Sequence, residues 1–268
     1  MTSSFVAPSP QPERPESIQW LQLVAGLLVV FVALQWTASA LGSDRGQAGL
    51  LVGLIVVIAT LGVERLFFQR SFTASADALG LGFPALRGFL TAMALSVLLL
   101  LVIPLFAHVR QASVSLFPGW SWLLFGLFAQ AGIAEEILFR GYLFGYLRRR
   151  RPFWQAALLA AGPFVVVHLL LFITLPWPIA LAALLLAVAL SFPFAHLFEL
   201  GGGTIWPSAL VHFVVQGAIK LAVVSGESGL TLPLVWMAAS AVLPFLVFLV
   251  PRRRSQGSFH APARVSAE

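Results

Sequence analysis

The chain has 268 residues, 59% of them hydrophobic and only 10% charged, with a mean hydropathy of +0.94. A soluble domain carries about a quarter of its residues as charges, so a water-soluble globular protein is excluded and an integral membrane protein is indicated. The net charge of +6 would suit nucleic acid, but Arg148–Arg151 and Arg252–Arg254 directly flank apolar segments, where arginines act as topology signals facing anionic lipid. No nucleic-acid partner is therefore expected. The absence of cysteine removes disulfides and thiolate chemistry.

Residues 1–18 are polar and Pro-rich and lack the basic n-region and short apolar core of a cleaved signal. They are expected to form a disordered cytosolic tail before an uncleaved first anchor. A spanning helix needs about 20 mostly apolar residues. By that measure eight spans are predicted: 19–42, 48–68, 88–109, 119–146, 153–175, 178–199, 204–224 and 232–250. The fold class is thus an all-α polytopic membrane protein, one helical domain over 19–250 with its site inside the bundle. Segment 71–87 is mixed and reads as interfacial or as a short helix. Only Gly201–Gly203 separates the sixth span from the seventh, and 251–268 reads as a second disordered cytosolic tail. Trp120, Trp122, Trp154, Trp177 and Trp206 sit near span ends, as an aromatic belt requires.

With eight spans, one side holds Arg14, Arg65, Arg70, Arg87, Arg148–Arg151, Arg252–Arg254 and Arg264, and the other holds Arg45 and Arg110. Twelve against two predicts both termini in the cytoplasm of a multi-pass plasma-membrane protein.

The fourth span then breaks its own pattern. Glu135, Glu136 and Arg140 lie within it, and three such charges at mid-membrane would cost about 9 kcal/mol. They must face protein or a wet cavity. Glu136 and Arg140 are four apart with the acid first, the favourable order for an ion pair; Glu135 is left without a local partner. The fifth span carries a single ionisable residue, His168, and the seventh places His212 and Gln216 on one face at i and i+4. Singly these read as packing residues and interhelical glue. Together, a carboxylate and two imidazoles from three nearby spans make the inventory of a hydrolytic site. Amide hydrolysis needs a deprotonated water, an acid for the leaving nitrogen, and donors for developing negative charge.

Glu-Glu-x-x-x-Arg at 135–140, Phe-x-x-x-His at 164–168 and His-x-x-x-amide at 212–216, in this order, resemble the CAAX-protease and bacteriocin-processing family of intramembrane endopeptidases, also called CPBP or Abi. The flanking AEEILFRGYLFGYL and GGGTIWPSALVHFVVQ extend the likeness, which covers about 118–220. It implies that Glu135 and His168 activate the water, and that His212 and Gln216 stabilise the oxyanion. Glu136 and Arg140 stand behind them as a lock on the helix. It also implies a peptide or membrane-protein substrate in the bilayer. Gln216 departs from the family's usual Asn by one methylene, which puts retention of activity in question.

Other readings compete. Glu135, His168 and His212 could ligate zinc, leaving an open water position, although nothing at short spacing demands a metal or any other cofactor. A non-catalytic member acting as an immunity or regulatory protein would suit the Gln216 departure. A proton-coupled transporter should show internal repeats, and none is visible. Oligomeric state leaves no trace in the sequence. Lys220 is expected to snorkel and His196 to be interfacial. Depth raises a tension: counted along the helices, Glu135 and His168 lie about 20 Å inside their span ends but His212 only about 12 Å. The three converge only if Gly201–Gly203 dips inward or the fourth and fifth helices protrude.

Overall fold

The computed structural model describes residues 15–40, 45–227 and 229–252. The tails expected to be disordered, 1–18 and 251–268, lie mostly outside the described residues, but α1 (Glu16–Ala40) already begins within the first. It is followed by α2 (Arg45–Phe68), the short α3 (Phe72–Ala78) predicted between spans, and α4 (Leu86–Val109). The fourth crossing, Trp120–Arg148, joins α5 (Trp120–Leu127), two π-helical stretches at Phe128–Ala134 and Ile137–Phe144, and α6 (Gly145–Arg148). Then come α7 (Phe153–Leu169), α8 (Leu171–Thr174), α9 (Trp177–Leu200), α10 (Trp206–Leu221) and α11 (Thr231–Val242), which tightens into a 3-10 helix at Leu243–Leu249. Two short strands, β1 (Val114–Leu116) and β2 (Ala222–Val224), pair antiparallel with Ser115 opposite Val223.

Among the described residues, seven helices are long and apolar enough to cross a membrane. The predicted span 204–224 is the exception. Its helix, α10, has 16 residues, about 24 Å against the ~30 Å of a hydrocarbon core. It can be short because protein, rather than lipid, surrounds most of it: Val211, His212, Val214, Val215 and Ala218 are all buried. The strand β2 extends it to the far end of the bundle, where β1 closes on it. The outer helices show the complementary pattern, with Leu28, Leu101, Leu105, Leu158 and Ile173 exposed as a lipid-facing surface requires.

Small residues set how closely the fourth crossing is gripped. A Cβ on Gly49 would lie 2.2 Å from the Gly126 carbonyl oxygen, and one on Gly53, a turn later, 2.9 Å from that of Ala129. The two backbones therefore touch, as small-xxx-small packing allows in lipid, where dispersion contacts replace the hydrophobic drive.

One end of the bundle is basic and closely tied. Arg148 pairs with Glu199, which also takes Arg252 at 3.3 Å. Arg150 donates to Gln19 at 2.6 Å, and the Arg151 guanidinium lies 5.5 Å from the Trp20 ring. The start of the C-terminal tail is thus anchored rather than disordered, with the Arg252 guanidinium 3.8 Å from the Phe153 ring.

The depth tension resolves at the glycine turn. Gly202 and Gly203 take φ of 78° and 82°, left-handed values open to glycine at little cost. The Ile205 amide donates to the Gly80 carbonyl at 3.0 Å, and the neighbouring Leu79 carbonyl abuts Gly141, where a Cβ would lie 2.2 Å away. The turn therefore sits level with Gly141, two helical turns short of Arg148, and the end of the fourth crossing projects past it. His212 consequently starts from the same level as Glu135 and Glu136.

Candidate active site

The two glutamates occupy the junction between the π-helical stretches, Glu135 closing the first and Glu136 opening the second. A π turn bonds i to i+5, and the Glu135 amide donates to the Gln130 carbonyl. That widened turn brings Gln130 onto the face of Glu135, a neighbour that a regular α-helix would rotate away. π turns recur at functional sites because they re-aim side chains in this way.

Adjacent in sequence, the carboxylates diverge in space. Glu136 is fully buried: its Oε1 accepts from Arg140 at 3.0 Å and from His212 Nδ1 at 2.7 Å. The i,i+4 pair expected from the sequence is present, but the bond to His212 was not foreseen from it. Arg140 itself lies between two rings, its guanidinium 5.0 Å from Phe164 and 5.1 Å from Phe194. Phe139 packs edge-on to Phe164 at 4.6 Å. Glu135 instead points into a cavity of about 590 Å³, with its Oε2 3.7 Å from His212 Nε2.

His212 therefore presents two different nitrogens. Nδ1 donates to the Glu136 carboxylate, which fixes the ring's orientation and leaves Nε2 facing the cavity. Gln216 sits one turn on, its Nε2 3.4 Å from His212 Nε2, and Lys220 Nζ donates to the Gln216 Oε1 at 3.2 Å. Lys220 was expected to snorkel. It lies instead on the cavity wall, on the stripe of His212 and Gln216 at i+8, and that spacing was already legible in the sequence.

His168 lines the same cavity from α7. Its Nδ1 donates to the Phe164 carbonyl at 2.8 Å, and its ring packs 4.5 Å from that of Phe164, turning Nε2 away from its own helix. His168 and Glu135 share the cavity without bonding each other. His196, expected at an interface, is buried among Phe153 and Phe248, with Nε2 donating to the Val250 carbonyl at 2.9 Å.

Glu135, His168, His212 and Gln216 all line one cavity, while Glu136 and Arg140 stand behind it. A metal fits less well. Among the described residues no three carboxylate or imidazole groups gather closely enough to hold an ion, so the set Glu135, His168 and His212 is not assembled as ligands.

Residues 117–218 match the family model described as type II CAAX prenyl endopeptidase Rce1-like. This segment runs from just before the fourth crossing to the last turn of α10 and contains every residue named above from Glu135 to Gln216. No curated protein matches the chain. The family indicated by the three motifs is thus the family whose model this segment matches, a family of membrane peptidases.

Proposed function

We propose, with the CAAX-protease family of residues 117–218 as premise, that the chain is an intramembrane endopeptidase whose base is Glu135. The observation that carries this reading is the 3.7 Å approach of Glu135 Oε2 to a His212 ring whose other nitrogen is held by Glu136. A water between Glu135 and His168 Nε2 gives its proton to the Glu135 carboxylate as it attacks the substrate carbonyl. His212 enters the cycle already protonated, with Nδ1–H on Glu136, and keeps that proton throughout; the oxyanion accepts from its Nε2–H and from the Gln216 amide. Glu136, ionised against Arg140, stabilises the imidazolium as a carboxylate does in the serine-protease triad. Glu135 then returns its proton to the leaving nitrogen, and the C–N bond breaks. No step is routed through a metal.

Gln216 is the reason to consider a non-catalytic relative, and its neighbours support the catalytic reading. Lys220 holds the amide oxygen, which turns the amide N–H groups toward His212 and the cavity. The extra methylene is accommodated by a brace one turn further along. The basic end, with both termini, faces the cytoplasm of a plasma membrane, following the arginine count.

The test is a comparison of membrane-protein termini between cells expressing the wild-type chain and cells expressing Glu135→Gln, with both proteins inserted at equal levels. Neo-termini that vanish in the variant are expected; identical termini in the two would remove Glu135 as the base.

A further inference from the structure

The cavity has a floor, a seal and a mouth, and they lie in a fixed order along the bundle. Its floor is the level of Glu135 and His212. Towards the basic end it is closed by a layer of packed groups: Arg140 between the Phe164 and Phe194 rings, with Phe139 edge-on to Phe164. All four side chains of that layer are buried. Beyond it, lined in part by Arg140, Phe144 and Ala157, lies a void of about 10 Å³, room for about one water at most. No peptide could thread that route without displacing the Arg140–Glu136 pair.

In the opposite direction the walls run on from His168 to Leu170, Leu171 and Thr174, from His212 to Gln216 and Lys220, and along α1 to Leu34 and Gln35. These are the ends of α1, α7–α8 and α10 remote from Arg148–Arg151. Gln35, Leu170 and Thr174 at this rim are exposed, whereas Phe139, Phe164, Phe194 and His212 at the floor are buried.

We infer that substrate reaches the site from the end of the bundle opposite the arginine cluster, the extracytoplasmic half of the membrane. The substrate is then a largely apolar peptide segment presented on that side, since this half of the cavity combines Leu34, Leu170 and Leu171 with the uncharged polar groups of Gln35 and Thr174 and the cation of Lys220. A prenylated tail carried by a cytosolic protein would meet the sealed face. The inference rests on the peptidase reading for what enters the cavity, but the route itself does not depend on cleavage.

The chain has no cysteine, so single thiols report accessibility without background. Full-length Gln35→Cys and Thr174→Cys mark the rim, Ser115→Cys in β1 marks the far end, and Arg150→Cys marks the basic end. Intact cells are exposed to a membrane-impermeant maleimide, and labelling after detergent denaturation confirms that each thiol is present. Both rim thiols should label in intact cells together with Ser115→Cys, while Arg150→Cys labels only after permeabilisation. Rim thiols that label only with Arg150→Cys, or in neither condition before denaturation, would overturn the route. Labelling of Arg150→Cys but not Ser115→Cys in intact cells would overturn the extracytoplasmic assignment. Because accessibility and not cleavage is read, each of these failures leaves the assignment of Glu135 as base untouched.

Discussion

The half of the bundle between Glu136 and the arginines and the half between Glu135 and the far end are built on opposite principles. On the basic side, charges are neutralised in place: Arg140 by Glu136, Arg70 by Glu64, and Arg148 and Arg252 by Glu199. Aromatic rings fill the remaining space. On the far side, polar groups line a large cavity and apolar packing is interrupted. The boundary runs between two adjacent residues, Glu136 with a side-chain exposure of 0% and Glu135 with 20%. In a membrane the first half can maintain the fold because its buried charges, Glu64, Glu136 and Arg140, are paired, and the second leaves the Glu135 carboxylate facing the cavity.

The largest expected effect separates the two glutamates. Glu135→Gln should lower turnover by roughly 10²–10⁴, the usual scale of general-base loss, while leaving the melting temperature in detergent within a degree or two. Glu136→Gln should reverse the balance, because it strips Arg140 of its buried counter-charge, and breaking one partner of such a pair costs about 3–5 kcal/mol. Unfolding in a denaturing detergent titration measures that cost. Equal stability of the two variants would erase the boundary between the halves.

A smaller effect is expected where the basic half meets the glycine turn. Gly141→Ala places a methyl group 2.2 Å from the Leu79 carbonyl oxygen, and overpacking of this kind costs about 1–3 kcal/mol. Gly162→Ala is its control, with no atom within 4 Å of the added carbon. The first should lower the unfolding midpoint and the second should not.

How far these features were legible in the sequence depends on their range. Composition and hydropathy carry the helices, because lipid demands unbroken apolar stretches, and the arginine clusters locate the basic end. Glu135, His168, His212 and Gln216 were legible because an ionisable or amide side chain in an apolar helix stands out whatever its neighbours. The bond from His212 to Glu136 was not legible: it crosses 76 positions of chain, and the local i,i+4 partner Arg140 already pairs with Glu136 within its own helix. The π turns were equally hidden, since the run from Phe128 to Phe144 reads as an ordinary helix and only tertiary packing selects the wider register. The short α10 was predicted five residues too long because a hydropathy count assumes lipid on the outside, whereas this helix is lined by protein.

The smallest effect, that of Lys220→Met, tests the stripe His212, Gln216 and Lys220 within the far half. Gln216→Ala removes an oxyanion donor and should cost about 10²–10³ in turnover. Lys220→Met removes the brace, a hydrogen bond worth about 0.5–1.5 kcal/mol, so turnover should fall about two- to tenfold with KM little changed. The sharper measurement is the pair of substitutions together. Asn at 216 is one methylene shorter, which withdraws its amide oxygen by about 1.5 Å from a Lys220 contact of 3.2 Å, beyond hydrogen-bond range. In the Gln216→Asn background, Lys220→Met should therefore have no further effect, giving a coupling energy equal to the single loss. Full additivity would show that Lys220 acts on turnover by some route other than the amide it holds.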